Sequence, residues 1–289
     1  MSSEPYDRLS ALSRANFYNA FEAFDWPPSL PLEQPWMSFE LLTVAGTPYA
    51  ERLSRPQLVR LSHCESIHFY TLLMYGERDL VRVVLEHIHG RGYEDLSEYF
   101  HHFIEEENKH MWFFSQFCRR YGEKSYPDRS LKFAEFQGGI AVFVAFAKIL
   151  IFEEIGDFFN VRMRDDEALP PIVRQLNALH HQDESRHLAM GRSLLVSHHE
   201  RLKAEHAPAE LRALEHYLKR YMQSILESLY NPAVYRDAGL EDPYGLRRAL
   251  CQHPGRRAFH ETVLRRVMKF FAGKGIFETE ELSHDAAGR

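Results

Sequence analysis

Apolar residues recur at helical spacing over four long stretches of the chain. The first stretch runs from Arg55 to about His89 and the second from about Glu94 to Tyr121. The third covers Leu131 to Arg164, and the fourth covers Ile172 to Leu202. Apolar positions three and four residues apart mark one face of an α-helix. The pattern therefore predicts four long helices.

The connections between these stretches predict two helical hairpins. Gly90 and Gly92 stop the first helix, and the short connection makes the second helix antiparallel to it. The third helix is apolar nearly all round in its middle, which is typical of a central helix. Pro170 and Pro171 begin the fourth, because proline is tolerated in a first helical turn. Together the four helices predict a bundle.

Peripheral segments are predicted on both sides of the bundle. Prolines among aromatic residues before residue 54 predict a short helix near residues 9–22 and then a wrapping loop. After about Pro208 the sequence predicts a helix to Tyr230 and a last helix from about Ala258 to Phe271. An irregular stretch with Pro232, Pro243 and Pro254 separates those two helices.

This organisation predicts a single domain over residues 1–289. Its core bundle covers about residues 55–204, its N-terminal wrapping segment residues 1–54, and its accessory helices residues 205–289. The length is long for one typical domain but ordinary for a single large fold.

Composition narrows the classes of function. The net charge of -6 and the pI near 6.3 argue against a nucleic-acid partner, which needs clustered lysine and arginine. The three cysteines lie far apart, and the first residues lack a signal-peptide pattern, so we expect a reducing, cytoplasmic setting. The longest apolar run, Gly138 to Phe152, is too short to cross a membrane.

A repeated Glu-x-x-His spacing is the first sign of chemistry. Residues three apart on a helix share a face, so each pair can present a carboxylate and an imidazole to one ion. A single copy means little, because the spacing is expected by chance. Its copies include Glu65-x-x-His68, Glu107-x-x-His110, Glu184-x-x-His187 and Glu281-x-x-His284.

Two of these copies stand out because a carboxylate precedes each by one bundle length. Glu77 lies 30 residues before Glu107, and Glu153 lies 31 residues before Glu184. Glu77 and Glu107 are about equally far from the turn near residue 91, so they meet across an antiparallel hairpin. Glu65 sits well beyond that level and is the runner-up to Glu77. The neighbours Glu153 and Glu154 stay open as alternatives, with Glu153 preferred.

Further side chains extend this pattern. His180 lies four residues before Glu184 and seven before His187, so all three share one stripe of the fourth helix. Asp183 and Glu106 each precede the glutamate of a motif, where a carboxylate can accept the free ring N–H of a ligand histidine.

One glutamate from each of two helices plus Glu-x-x-His from the other two is the pattern of ferritin-like di-iron carboxylate bundles. Four carboxylates offset nearly all the charge of two Fe²⁺ ions, and imidazoles complete the site. The sequence therefore predicts an all-α, ferritin-like four-helix bundle with additional peripheral helices and two iron ions (Fe²⁺/Fe³⁺). Carboxylate and imidazole ligands also suit manganese.

Three segments carry a resemblance to a known family. HHQDESRH at 180–187, EEENKH at 105–110 and FEE at 152–154 resemble the di-iron N-oxygenases of the p-aminobenzoate N-oxygenase type. The likeness covers roughly residues 60–200, and the extra histidine distinguishes it from ordinary ferritins. Carried over to this sequence, the ligands of that family fall on Glu77, Glu107, His110, Glu153, His180, Glu184 and His187.

The resemblance implies an enzyme that activates O2 at a non-haem di-iron centre and oxidises an amine, often an arylamine, in a biosynthetic pathway. Such an enzyme needs electrons from a reductase, a ferredoxin or a peroxide shunt, and it can be a homodimer. The alternatives are a di-iron C–H hydroxylase or desaturase and a non-catalytic iron-binding bundle. The resemblance leaves the substrate, the number of oxidation steps and the redox partner undetermined.

Overall fold

A computed structural model describes residues 4–127 and 136–282 of the 289-residue chain. Every regular element in these two ranges is helical, which confirms the all-α prediction. The α-helices are α1 Glu4–Ala15, α2 Pro48–Glu51, α3 Arg55–His87, α4 Ser97–Phe117, α5 Gly138–Asp165, α6 Pro171–Glu205, α7 Pro208–Ser228, α8 Pro232–Asp237, α9 Pro243–Gln252 and α10 Pro254–Gly273.

The four long helices α3–α6 form the predicted bundle. The Cys118 thiol just after α4 approaches the carbonyl of Ile67 in α3, while Glu77 lies near His110, so α3 and α4 are antiparallel. Asn160 meets His180 and Glu153 lies near His187, so α5 and α6 are antiparallel as well.

The remaining pairs of neighbouring helices are also antiparallel. Helix α3 runs against α5, since Phe69 stacks on Phe159 while Gly76 meets Phe152. Helix α4 runs against α6, because His110 meets Asp183 and Glu106 meets His187. Consequently α4 and α5 run in the same direction, the arrangement of ferritin-like bundles with one long crossover.

Close packing between α3 and α5 depends on a glycine. A Cβ atom at Gly76 would overlap the ring of Phe152. Gly76 and Phe152 directly precede Glu77 and Glu153 in sequence. The missing side chain at Gly76 therefore lets the two helices approach where both carry a carboxylate.

Several predicted boundaries were wrong. The first helix predicted near residues 9–22 is Glu4–Ala15. The second long helix, predicted to Tyr121, ends at Phe117 and continues as a π-helical turn over Cys118–Gly122. The third was predicted to begin at Leu131, which lies outside the described residues, and helical structure in the described part begins at Gly138.

The stretch between α7 and α10 was predicted to be irregular but contains two short helices. Pro232 and Pro243 lie in the first turns of these two helices, where a backbone N–H has no partner within the helix and proline can do without it. The side chains of Asn231 and Asp242 cap the two helices by accepting backbone N–H groups. Prolines that suggest interruption therefore mark helix starts here.

The N-terminal segment crosses the face formed by α4 and α6. Tyr6 pairs with Ser193 of α6, and Phe24 packs on Phe113 of α4. Trp36 is buried against Phe117, so the predicted wrapping segment adds aromatic surface to the core. No helix in the described parts of the chain combines the length and apolar character needed to cross a membrane.

Candidate metal centre

Helices α3–α6 bring the seven predicted donors together in the interior of the bundle. All seven side chains are buried, with at most 4% of any of them exposed. Within each of three overlapping groups, the donor atoms lie within 4.8 Å of one another. The groups are Glu77 with His110 and His180, Glu107 with His110 and Glu184, and Glu107 with Glu153 and His187.

Glu107 and Glu184 each lie between His110 and His187. One oxygen of Glu107, Oε2, is 3.3 Å from Nδ1 of His110, whereas Oε1 is 2.9 Å from Nδ1 of His187. Glu184 is arranged likewise, with Oε1 3.7 Å from Nδ1 of His110 and Oε2 3.6 Å from Nδ1 of His187. This is the geometry of carboxylates that can bridge two ions.

The other donors fall on either side of these two glutamates. Nε2 of His180 lies 3.2 Å from Oε1 of Glu77 and 2.8 Å from Oε1 of Glu184. On the opposite side, Oε2 of Glu153 lies 3.8 Å from Nδ1 of His187. We call the set Glu77, His110 and His180 the first position, and the set Glu153 and His187 the second position.

Most of the carboxylate oxygens in this centre have no hydrogen-bond donor. The unpaired atoms are both oxygens of Glu77, both oxygens of Glu153, Oε1 of Glu107, Oε2 of Glu184, and Nδ1 of His187. Neighbouring imidazole nitrogens approach some of them but lack the alignment of a hydrogen bond. Burying a carboxylate without hydrogen-bond donors costs on the order of several kcal/mol. This is at least as much as burying any other unpaired polar group. Divalent cations fit this donor set, because they satisfy such lone pairs directly.

Burial and mutual charge shift the pKa values at the centre. Burial raises the pKa of Glu77 to about 7, and burial together with Glu184 raises that of Glu153 well above its usual value. Burial alone would lower the pKa of His110, but bonds to Asp183 and Glu107 raise it to about 10. The site thus favours positive charge among its carboxylates, and bound cations would replace the protons of its imidazoles.

The two alternative glutamates have other partners. Glu154 forms ion pairs with Arg192 and with Arg266, whose Nε is 3.4 Å from Oε2. Glu65 accepts hydrogen bonds from the backbone N–H and the hydroxyl of Thr43. Neither belongs to the three groups of candidate ligands found among the described residues.

The two carboxylates predicted to orient the histidines contact their outer ring nitrogens. Nε2 of His110 is 3.1 Å from Oδ2 of Asp183, and Nε2 of His187 is 2.9 Å from Oε2 of Glu106. When Nε2 donates its proton to the carboxylate, Nδ1 keeps its lone pair free and directed at the centre. Burial would raise the pKa of Asp183, but the hydrogen bond from His110 together with the positive charges of His110, Arg186 and Lys109 lowers it.

A buried asparagine holds the third histidine, and the sequence analysis missed it. The amide of Asn160 lies 2.8 Å from Nδ1 of His180, and Oδ1 of Asn160 as placed has no partner. With the amide turned so that Oδ1 accepts the Nδ1 proton, Nε2 of His180 keeps its lone pair facing Glu77 and Glu184. Asn160 follows Glu153 by seven residues on one helical face, a spacing that could have indicated it.

An arginine and two N-terminal residues were also missed. Nη2 of Arg186 is 2.5 Å from both Oε1 of Glu106 and Oδ1 of Asp183. Nε of Arg186 donates to the hydroxyl of Ser13, and the hydroxyl of Tyr18 donates to Asp183. Ser13 lies in the short helix α1 and Tyr18 follows it, and neither belongs to a ligand motif, so no sequence pattern connected them with the centre.

The comparison with protein families gives a match over nearly the whole chain. A family model described as P-aminobenzoate N-oxygenase AurF matches residues 2–275. The match extends well beyond residues 60–200, on which the resemblance was based, and confirms that resemblance. A search of curated proteins found no significant match.

Proposed function

The chain belongs to the p-aminobenzoate N-oxygenase family of di-iron enzymes, and from that premise we propose that it adds oxygen from O2 to the nitrogen of an arylamine-type amine. The seven clustered donors would hold two iron ions. Glu107 and Glu184 would bridge them, the first position would hold one ion, and the second position would hold the other.

One observation carries this proposal. Six oxygens of four buried glutamates lack any hydrogen-bond donor, and all of them lie in the one region where three imidazoles also converge. A protein interior tolerates such oxygens when cations accept them as ligands. Carboxylate and imidazole donors suit iron, and they also suit manganese.

The metal pair, when bound, supplies the redox chemistry with O2, and the side chains prepare its surroundings. Asp183 and Glu106 hold the outer protons of His110 and His187, so both rings point inward in a fixed tautomer. The ring of Phe103 lies 4.3 Å from that of His187, and Phe114 lies 5.0 Å from His180. These apolar walls exclude water from the centre and strengthen its electrostatic interactions.

The chain needs partners that its own residues do not supply. We propose a small-molecule amine as substrate and a source of electrons, either a reductase or ferredoxin or a peroxide that delivers oxygen and electrons together. The net charge of -6 supports neither a nucleic-acid partner nor an anionic membrane surface. A homodimer remains part of the proposal.

Anaerobic reconstitution with Fe²⁺ tests this function. We expect about two iron ions per chain by metal analysis, a coupled pair in Mössbauer spectra, and, after reduction and exposure to ¹⁸O2, labelled oxygen on the nitrogen of p-aminobenzoate or a related arylamine. Labelled oxygen on carbon would instead indicate a C–H hydroxylase, and an unsaturated product a desaturase. Iron binding without O2 consumption would indicate a non-catalytic bundle, and the absence of bound iron would refute the metal centre itself.

A further inference from the structure

A tyrosine of the N-terminal segment reaches the network behind one of the metal positions. Oδ2 of Asp183 accepts two hydrogen bonds, from Nε2 of His110 at 3.1 Å and from the hydroxyl of Tyr18 at 3.0 Å. Tyr18 follows α1 and is half-buried. A continuous path of hydrogen bonds therefore joins the N-terminal segment to a ligand of the first position.

The second position has a matching carboxylate but lacks the third donor. Glu106 accepts from His187 through Oε2 and from Arg186 through Oε1. Asp183 accepts from His110 and Arg186 in the same way and from Tyr18 in addition. Among the described residues, the buried Tyr99 interacts electrostatically with Glu106 and His187, but no tyrosine hydroxyl donates a hydrogen bond to Glu106. Of these two carboxylates, Asp183 is thus the one that a phenol holds by a hydrogen bond.

We propose that Tyr18 is a positioning residue for the first metal position, acting through Asp183, and that it supports His110 without giving the same support to His187. This inference rests on the metal pair proposed above. A carboxylate that holds the outer N–H of a ligand histidine sets the orientation and the donor strength of that ring. By fixing Oδ2, Tyr18 fixes the ring of His110, whereas the ring of His187 is held without it.

The surroundings of Tyr18 keep its hydroxyl in place. Nζ of Lys109 lies 4.3 Å from the centre of the Tyr18 ring, and Lys109 is itself buried and paired with Glu105 at 2.9 Å. Burial next to Asp183 raises the pKa of Tyr18 well above its usual value, so the phenol stays protonated and able to donate. Tyr18 is therefore a hydrogen-bond donor to Asp183 at neutral pH.

A second contact of the N-terminal segment provides a contrast. The hydroxyl of Ser13 accepts a hydrogen bond of 3.0 Å from Nε of Arg186. Because Arg186 binds both Asp183 and Glu106, a change at Ser13 reaches both histidines. Tyr18 binds Oδ2 of Asp183, the oxygen that His110 also contacts, whereas Arg186 binds Oδ1. A change at Tyr18 therefore acts directly on His110 and reaches His187 only through Arg186 and Glu106. The two variants Tyr18→Phe and Ser13→Ala therefore separate an effect on one position from an effect on both.

Cobalt binding to the full chain tests the inference, with Co²⁺ as the probe and a chelator as competitor. We expect Tyr18→Phe to weaken one of the two binding steps by about 10-fold and to leave the other unchanged. Ser13→Ala is expected to shift both steps together. Tyr121→Phe is the matched control, because Tyr121 donates only to the carbonyl of Pro27, and it is expected to shift neither.

A spectroscopic readout excludes a general structural effect. In the cobalt-loaded protein, the exchangeable N–H protons of His110 and His187 give paramagnetically shifted NMR signals, and Tyr18→Phe is expected to move the signal of His110 alone. Binding steps and NMR signals of Tyr18→Phe that match those of the parent would overturn the inference, as would an equal change at both histidines. If the parent chain binds no cobalt, the proposed metal pair fails and this inference fails with it. If the parent binds two ions and Tyr18→Phe matches it, only the inference fails.

Discussion

Helix α3 carries two buried glutamates about three turns apart, Glu65 and Glu77, that differ in a single respect. Both are at most 4% exposed, and burial raises the pKa of each to about 7. Both oxygens of Glu65 accept hydrogen bonds from Thr43, whereas both oxygens of Glu77 have no hydrogen-bond donor. Burial and pKa therefore fail to separate a structural acid from a candidate metal ligand, whereas the hydrogen-bond partners do separate them.

The surroundings of Glu65 explain what it does. Thr43 lies in the N-terminal wrapping segment and also accepts a hydrogen bond from the hydroxyl of Tyr235 in α8. Arg256 of α10 stabilises the charge of Glu65 from nearby and donates to Tyr230. Glu65 thus ties the two peripheral segments to the bundle. Its partner in sequence, His68, contacts the carbonyl of Ser228 instead of a shared ion.

The largest effect is expected when the same substitution is made at the two glutamates. Glu77→Gln removes a charged ligand from the first position, so we expect the affinity for iron and the N-oxygenation rate to fall at least about 100-fold, more than loss of an outer-sphere partner costs. Glu65→Gln is the control on the same helix and is expected to keep both. Metal analysis and turnover with an arylamine measure the difference. Equal losses in the two variants would show that the comparison between Glu65 and Glu77 is wrong.

The sequence alone distinguished only some of the candidate glutamates from their alternatives. Distance from the turn at Gly90 favoured Glu77 over Glu65, because an antiparallel hairpin fixes which residues face each other. Glu153 and Glu154 stayed unresolved, since α5 is apolar nearly all round and its periodicity gives no single inward face. The arginine partners of Glu154 come from α6 and α10, and no local pattern predicts such contacts.

Long helices were predictable because each repeats its apolar positions over many turns. The contacts of Thr43, Tyr18 and Ser13 were not, because these residues lie in the short helix and loops before α3, where few positions repeat. Short helices such as α8 depend on a cap and a proline, and the same residues also occur in irregular loops. The sequence therefore predicted the ligand candidates on the long helices and the two carboxylates behind them, but it missed Asn160 and Arg186 on those helices and every contact from the periphery.

Dependence on pH sharpens the comparison at Glu65. The pKa of Glu65 is about 7 in the folded chain and near 4.5 when the chain is unfolded, so the folded state binds more protons between these pH values. The contribution of Glu65 to stability is therefore full below about pH 4.5 and is lost as the pH rises through about 7. Gln resembles the protonated acid and does not titrate. Relative to Glu65→Gln, the parent should thus lose on the order of 3 kcal/mol of unfolding free energy between pH 5 and pH 8. Urea unfolding at both pH values measures this, and a constant difference between the two proteins would contradict it.

We expect the smallest effect from removal of the Tyr235 hydroxyl, which hydrogen-bonds to the threonine that binds Glu65. Tyr235 is buried and donates to Oγ1 of Thr43 at 2.9 Å, while Thr43 donates onward to Glu65. Tyr235→Phe removes one hydrogen bond and leaves Thr43 paired with Glu65, so we expect a loss of about 1 kcal/mol in unfolding free energy. Tyr244→Phe, at an exposed position, is the control and is expected to change nothing measurable. Iron content should stay that of the parent in both variants, because Tyr235 acts on the structural acid of α3. A drop in bound iron in Tyr235→Phe would mean that the two ends of this helix are coupled and that Glu65 influences the metal centre.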